Sequence, residues 1–291
     1  MNNLKKIVLV TGSSSGIGKS IVELMSKQDF QVIASMRNIK GKNKNVAIKL
    51  HNSRDNIAVE ELDVSSCTSV KNSIDRILEK FGRIDVIVNN AGIMNVGLTE
   101  GFTINQLEKQ MDVNYIGVAR IFKHSLPHMK KRKDGLFITI SSIAGRIVFP
   151  HLSTYNPSKF AVEALAEIYR YELSPFNIDS VIIEPGPFAT DLIKNSPKPQ
   201  DKMVLTSYGK FAEEAELTMT RFKEFMKDNP ECAPELVSRS VLNLINTDYG
   251  KRPLRTTCGI DYGVRKINAE IEKYQHKLLK QMGMDDFIPG K

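Results

Sequence analysis

Residues 7–19 run Ile7-Val8-Leu9-Val10-Thr11-Gly12-Ser13-Ser14-Ser15-Gly16-Ile17-Gly18-Lys19. The apolar quartet reads as a buried strand, the glycine and serine cluster as a turn, and Lys19 as the opening of a helix. Glycines at 12, 16 and 18 let backbone approach a pyrophosphate closely, and the helix start offers unpaired N–H groups and a dipole that favour an anion. Other readings fit the stretch less well. A P-loop ending at Lys19-Ser20 needs glycine at 13, where Ser13 stands. Gly12 to Gly16 does satisfy the G-x-S-x-G pattern of a hydrolase elbow with Ser14 as nucleophile, but it comes early for that fold, and no persuasive His and Asp pair follows late in the chain. Plain loop chemistry is the bland alternative.

Outward from this turn, apolar runs alternate with helical patterns. Strands are expected at Ile7–Val10, Gln31–Ser35, Ala58–Leu62, Val86–Asn89, Leu136–Ile140, Asp179–Ile183 and Arg255–Cys258, and helices at Lys19–Lys27, Ser69–Phe81, Asn105–Lys130, Tyr155–Leu173 and Pro234–Ile245. Such alternation implies right-handed βαβ units, hence an α/β fold with a parallel sheet covered on both faces, and a ligand crevice beyond the carboxyl ends of the strands.

A chain of 291 residues with 41% hydrophobic content is read as one domain spanning residues 1–291, since no linker, low-complexity tract or repeat divides it. The apolar stretch before Thr11 is too short for a signal peptide, and no run approaches the roughly 20 residues of a membrane helix. The expectation is a soluble, cytoplasmic protein, with Cys67, Cys232 and Cys258 as free thiols. The net charge of +8 raises nucleic acid as a partner, with Lys130 to Lys133 as the densest basic run. That run ends a helical stretch, where cations favour the C-terminus, so no nucleic-acid role is assigned. His124 and His128 stand four apart but lack a third ligand, so no metal is expected.

Tyr155 and Lys159 stand four residues apart at the opening of a helix, which puts phenol and ammonium on one face. A nearby cation favours the phenolate, so the expectation is a Tyr155 pKa pulled down from about 10 towards the working pH. Tyr155 is then a general acid or base for a carbonyl, with the Ser142 hydroxyl hydrogen-bonding the same oxygen. Pro157 sits in the first turn, where no intrahelical N–H is lost.

The ordered set Thr11-Gly-x-x-x-Gly-x-Gly18, Asn89-Asn-Ala-Gly92, Asn114, Ser142, Tyr155-x-x-x-Lys159 and Pro185-Gly186 resembles the short-chain dehydrogenase/reductase family from residue 7 to about 190. The stretch Tyr155 to Thr190 looks most like members acting on steroids, retinoids and other bulky carbonyls. The resemblance implies a Rossmann-type doubly wound sheet, a nicotinamide cofactor and a tetrad: Asn114 holds a relay water, Ser142 orients the carbonyl, Tyr155 is the acid/base, and Lys159 also binds the nicotinamide ribose. It further implies cofactor contacts from Gly12, Ser14, Ser15, Gly16, Ile17 and Gly18, from Asn90, Ala91 and Gly92, from Tyr155 and Lys159, and from Pro185, Gly186, Phe188 and Thr190. Asp63 would meet the adenine amino group and Val64's backbone the ring, although Asp63 also reads as a helix cap beside the better caps Ser65 and Ser66. In this family, pairing through Asn105–Lys130 and Tyr155–Leu173 is common, so a homodimer or homotetramer is expected.

At the end of the second strand, where an NAD-preferring fold carries a carboxylate, stand Ala34-Ser35-Met36-Arg37. Arg37 can grip a 2'-phosphate bidentately, with Lys40, Lys42 and Lys44 raising the local potential, so NADP(H) is expected over NAD. Ile93, Met94, Ile143, Val148, Phe149 and Phe188 are expected to line an apolar substrate cavity. Phe211, Met219, Phe222, Phe225 and Met226 recur at helical spacing within residues 190–233, which read as a lid or a permanently packed helix. Residues 263–291 read as a helical tail without an assignable role. The expected function is an NADP(H)-dependent oxidoreductase interconverting a ketone or aldehyde and an alcohol. A non-catalytic NADP-binding regulator and a Ser14 hydrolase are the alternatives.

Overall fold

The computed structural model describes residues 5–188, 190, 192, 195–227 and 229–288, apart from the side chains of 215, 216, 219 and 223. Among the described residues seven strands, β1 (Lys6–Val10), β2 (Phe30–Met36), β3 (Ile57–Glu61), β4 (Val86–Asn89), β5 (Gly135–Ile140), β6 (Ile178–Pro185) and β7 (Arg255–Cys258), form one sheet in the order β3-β2-β1-β4-β5-β6-β7, every pair parallel. The expected Rossmann-type architecture is observed. Strands such as β5 and β6 are buried at every residue, because helices cover both faces; a largely apolar run marks that burial in β5, whereas β6 also buries Asp179, Ser180 and Glu184.

On one face, α1 (Gly16–Met25), α2 (Lys44–His51) and α9 (Glu235–Asn246) pack Ile21, Val22, Leu50 and Val241 against Val8, Val88 and Ile138. On the other, α3 (Cys67–Phe81), α5 (Gly117–Arg132) and α6 (Tyr155–Glu172) pack Ile74, Ile121, Phe122 and Val162 against Leu9, Ile87 and Phe137. The chain runs outward from β1 to β3 and returns beside β1 as β4, so the crevice opens beyond the carboxyl ends of β1 and β4.

Two local features depart from the sequence expectation. Lys44–His51 is a helix absent from those expected, and only Ala47 and Leu50 of it are buried. The helix expected at Asn105–Lys130 is α4 (Ile104–Met111) and α5 joined by a π-helical turn, Asp112–Ile116, which carries Asn114. Such turns are common at functional sites. Beyond β6, the segment read as a lid contains α7 (Lys202–Ser207) and α8 (Lys210–Met226), and the tail is α10 (Val264–Gln281).

The basic run has structural partners: Arg132 pairs with Asp85 at 2.5 Å, and Lys130 lies 4.7 Å over the Phe176 ring. His124 Nε2 sits 3.2 Å from Cys67 Sγ; among the described residues no group of three or more metal-ligating side chains assembles, and no helix is long and apolar enough to cross a membrane. All three cysteines are free.

Candidate active site

The turn between β1 and α1 uses its glycines for different reasons. A Cβ on Gly12 would lie 2.7 Å from Ala91 Cα, and one on Gly18 would lie 2.4 Å from Asn90 Nδ2. Asn90 reaches under the turn, donating through Nδ2 to Thr11 O (2.8 Å) and Gly12 O (3.1 Å), while the Thr11 hydroxyl accepts from the backbone N–H groups of Asn90 and Ala91. Ser15 gives α1 no side-chain cap, so first-turn N–H groups are left for an anion. Ser14 lines the same cleft, and among the described residues no histidine hydrogen-bonds it.

That cleft has a volume of about 1500 Å³, larger than the usual few hundred to ~1000 Å³ of a small-ligand pocket, and runs from Arg37 and Asp63 at one end to Phe222 and Tyr262 at the other. Every residue expected to contact a cofactor lines it: Gly12, Ser14 to Gly18, Arg37, Asp63, Val64, Asn90 to Gly92, Tyr155, Lys159, Pro185, Gly186, Phe188 and Thr190. Asp63 is no helix cap; Ser66 caps α3, and Asp63 Oδ1 instead accepts from the backbone and hydroxyl of Ser65. Burial works to raise the Asp63 pKa, but the Ser65 hydrogen bonds and the cations Arg37 and Arg120 outweigh it and hold the carboxyl below its usual value. Of the three lysines expected near Arg37, only Lys42 lines the cleft.

In the middle of the cleft Ser142, Tyr155 and Lys159 converge, each under a tenth exposed. Ser142 ends the loop after β5, where its hydroxyl accepts from Ala144 N (3.1 Å) and donates to Pro185 O (3.4 Å). Lys159 lies one turn along α6 from Tyr155, its Nζ 5.6 Å from the ring centroid and donating to Ile140 O at 2.9 Å. Asn114 stands behind this group and does not line the cleft: Nδ2 donates to Ile93 O and Ser158 Oγ, and Oδ1 accepts from Ile93 N. Its second Oδ1 lone pair is the one position left for a water.

The electrostatics correct one expectation. Burial pushes Tyr155 up to about 12, against a smaller lowering by the Ser142 hydroxyl, rather than Lys159 pulling it down. Burial also lowers Lys159 to about 8, with Glu163 opposing. Desolvation of both groups outweighs their mutual arrangement.

At the substrate end, Ile93, Met94, Ile143, Phe149 and Phe188 line the cleft as expected, but Val148 is 74% exposed and lies outside it. From residues 190–233, Phe222, Phe225 and Met226 line it; Phe211 instead meets the His151 ring at 5.8 Å, and the Met219 side chain, like all of Ala189, lies outside the described residues. Sequence reasoning missed Leu192, Asn195, Thr218, Arg221 and Tyr262, which come from segments without a motif and reach the cleft by tertiary folding alone. For Thr218 and Arg221 the i, i+4 spacing to Phe222 and Phe225 on α8 was a usable signal.

A family model described as "short chain dehydrogenase" matches residues 6–201. A 3-ketodihydrosphingosine reductase of Bacteroides thetaiotaomicron is 34% identical over 190 residues, 65% of this chain and 66% of that protein. Among solved structures, a short-chain dehydrogenase from Streptomyces avermitilis superposes with a TM-score of 0.76 at 27% identity, covering 97% of this chain and 98% of that one. ElxO with NADP bound superposes with a TM-score of 0.70 at 29% identity, covering 90% and 99%.

Proposed function

The chain belongs to the short-chain dehydrogenase family of NAD(P)-dependent dehydrogenases and reductases, and we propose from that premise that it is an NADP(H)-dependent oxidoreductase interconverting a ketone or aldehyde and an alcohol on a bulky, apolar substrate. The observation that carries this reading is the convergence of Ser142, Tyr155 and Lys159 midway along a cleft, with the glycine turn, Arg37 and Asp63 to one side and an apolar end to the other. The nicotinamide cofactor supplies or accepts hydride when bound. Gly12 to Gly18 and the α1 start hold its pyrophosphate, Asp63 and Val64 its adenine, Arg37 its 2'-phosphate, and Tyr155 and Lys159 its nicotinamide ribose.

Ser142 donates to the substrate oxygen and Tyr155 transfers a proton to it as charge builds there. Asn114 holds a water through Oδ1, from which the phenol is reprotonated. Support for a large apolar substrate comes from Phe149, Phe188, Phe222 and Met226 around the cleft and from the relative whose name specifies a ketodihydrosphingosine. Exposed Ile116, Phe160 and Ile168 on the α5 and α6 side support pairing of two copies there, and the free thiols fit a cytoplasmic setting.

A panel of carbonyls and secondary alcohols, followed by the absorbance of reduced nicotinamide, tests the reading. Turnover of a bulky ketone with NADPH is expected. Cofactor binding without turnover of any member would favour the regulator, and labelling of Ser14 by a fluorophosphonate would favour the hydrolase.

Residues 190–233 act as a lid in this proposal. Leu192, Phe222 and Phe225 line the cleft, while Met203, Phe211 and Leu217 stay about half exposed or more, which is a loosely seated rather than a core-packed segment. Amide exchange in α7 and α8 is expected to slow when NADPH and substrate bind, because closure excludes water from the reacting carbon. Exchange that is equally slow with and without both ligands would mean a permanently packed helix.

A further inference from the structure

Beneath Lys159 lies a buried charged cluster that the mechanism above does not use. Glu163 follows Lys159 by one turn on the same face of α6, and Glu184 projects from β6; they are 2% and 0% exposed. One guanidinium edge serves both. Arg255 Nε, from β7, is 2.8 Å from Glu163 Oε2 and 3.6 Å from Glu184 Oε1. The other side of Arg255 is occupied by Glu167, at 2.5 Å.

Glu163 Oε1 and Glu184 Oε1 are buried with no donor in hydrogen-bonding geometry; the Ser141 hydroxyl, itself without a partner, is near enough to lower the Glu163 carboxyl somewhat but does not close a hydrogen bond. Glu184 Oε2 accepts from Asn268 Nδ2 of α10 at 2.5 Å, and Asn268 Oδ1 accepts in turn from Arg146 Nε at 2.8 Å. The Ser141 hydroxyl faces Glu163 across Gly145, where a Cβ would lie 2.9 Å from both. Two carboxylates sharing one guanidinium edge, each with a buried lone oxygen, are not stable together as two full charges. A proton on one of them removes the repulsion and supplies a donor.

We propose that Glu163 and Glu184 form a carboxyl pair holding a single proton, carried by Glu184, and that the negative charge kept on Glu163, one turn from Lys159, is what maintains Lys159 as a cation beside Tyr155. Both are positioning residues, and their link to Lys159 rests on the catalytic reading of Tyr155 and Lys159 given above. The charged groups facing the pair are Lys159 and Glu167 on α6, Arg255 on β7 and Arg146 after β5. Burial followed by the neighbouring Glu163 pushes Glu184 up to about 8, and burial raises Glu163 as well, which agrees in direction.

The test that does not need activity is stability against pH. A carboxyl whose folded pKa lies above its unfolded value of 4.5 keeps its proton longer when folded, so stability falls as pH rises between the two. Between pH 5 and 7.5 the wild type is expected to lose up to about tenfold in its folding equilibrium per pH unit relative to Glu184→Gln, whose amide imitates the protonated carboxyl. Equal slopes in the two proteins would overturn the shared proton. Failure of both Glu184→Gln and Glu163→Gln to fold would overturn it too, because a neutral isostere of a protonated partner must be tolerated.

The link to Lys159 is read from NADPH binding, followed by its fluorescence against pH. Glu163→Gln should move the alkaline loss of binding down by about one unit or more, while Glu184→Gln and the control Glu167→Gln, which also removes a partner of Arg255, should not. An unmoved limb in Glu163→Gln, with the stability slope as expected, would leave the pair in place and end its role at Lys159. Absence of any NADPH binding in the wild type would fail the functional reading instead, and the stability result would still decide the shared proton.

Discussion

Tyr155→Phe is expected to lower kcat about 10²- to 10⁴-fold, the usual contribution of a general acid or base, with NADPH affinity nearly unchanged. The substitution removes one hydroxyl and keeps the ring that packs with Met94, Ala144 and Leu152. No backbone group loses a partner. Lys159→Ala should damage both kcat and cofactor binding, since its ammonium also holds Ile140 O at the edge of the cleft. Steady-state kinetics and NADPH titration of the two variants separate these outcomes; a Tyr155→Phe enzyme that keeps half its kcat would remove Tyr155 from the mechanism.

The raised Tyr155 pKa adds a direction to that argument. A phenol at about 12 remains a stronger acid than an alcohol, whose pKa is of the order of water's, about 16. Donation to a developing alkoxide is therefore still downhill, whereas accepting a proton from an alcohol needs a phenolate that is scarce at neutral pH. Reduction should hold through neutral pH, and oxidation of the alcohol should increase as pH rises towards the Tyr155 pKa. Measuring kcat/KM in both directions from pH 6 to 9 checks this, and an oxidative rate flat across that range would contradict it.

Much of the fold was legible because parallel strands buried on both faces leave continuous apolar runs, as in Leu136–Ile140, and because the turn at Gly12 to Gly18 tolerates few other residues. Helix α2 was not legible: Ala47 and Leu50 are its only buried residues, too few to set a period. The π turn at Asp112–Ile116 was hidden for a different reason, since it inserts into an otherwise unbroken helical pattern. Spacing placed Tyr155 beside Lys159 but carried no measure of how deeply both would be buried, and that burial reverses the expected pKa shift. Glu163 was visible one turn from Lys159, whereas Glu184 and Arg255 join it only through the register of β6 on β7. Tertiary neighbours of this kind leave no local trace in a sequence.

The same limit reshapes the test of cofactor choice. Sequence position alone would put a repelling carboxylate at residue 36, but Met36, although it meets the cleft wall, is 1% exposed and packs in the core with Val32 and Ala34, so an acid there would carry a desolvation cost that confounds the test. Arg37 is the exposed residue that lines the cleft, and its backbone carbonyl is fixed by Asn43 Nδ2 at 2.6 Å. The wild type is expected to prefer NADPH. Arg37→Ala should remove one charge-assisted partner of the 2'-phosphate, about 1.5 to 3 kcal/mol, and so cut the NADPH/NADH ratio of kcat/KM roughly ten- to a hundredfold. Arg37→Asp should carry it further by adding a like charge next to Asp63, which already lies within the field of Arg37. Because Arg37 touches no reacting atom, kcat with NADH should stay near its wild-type value in both variants. A wild type that uses NADH as well as NADPH would return Arg37 to a solvated partner of Asp63 and overturn the cofactor assignment.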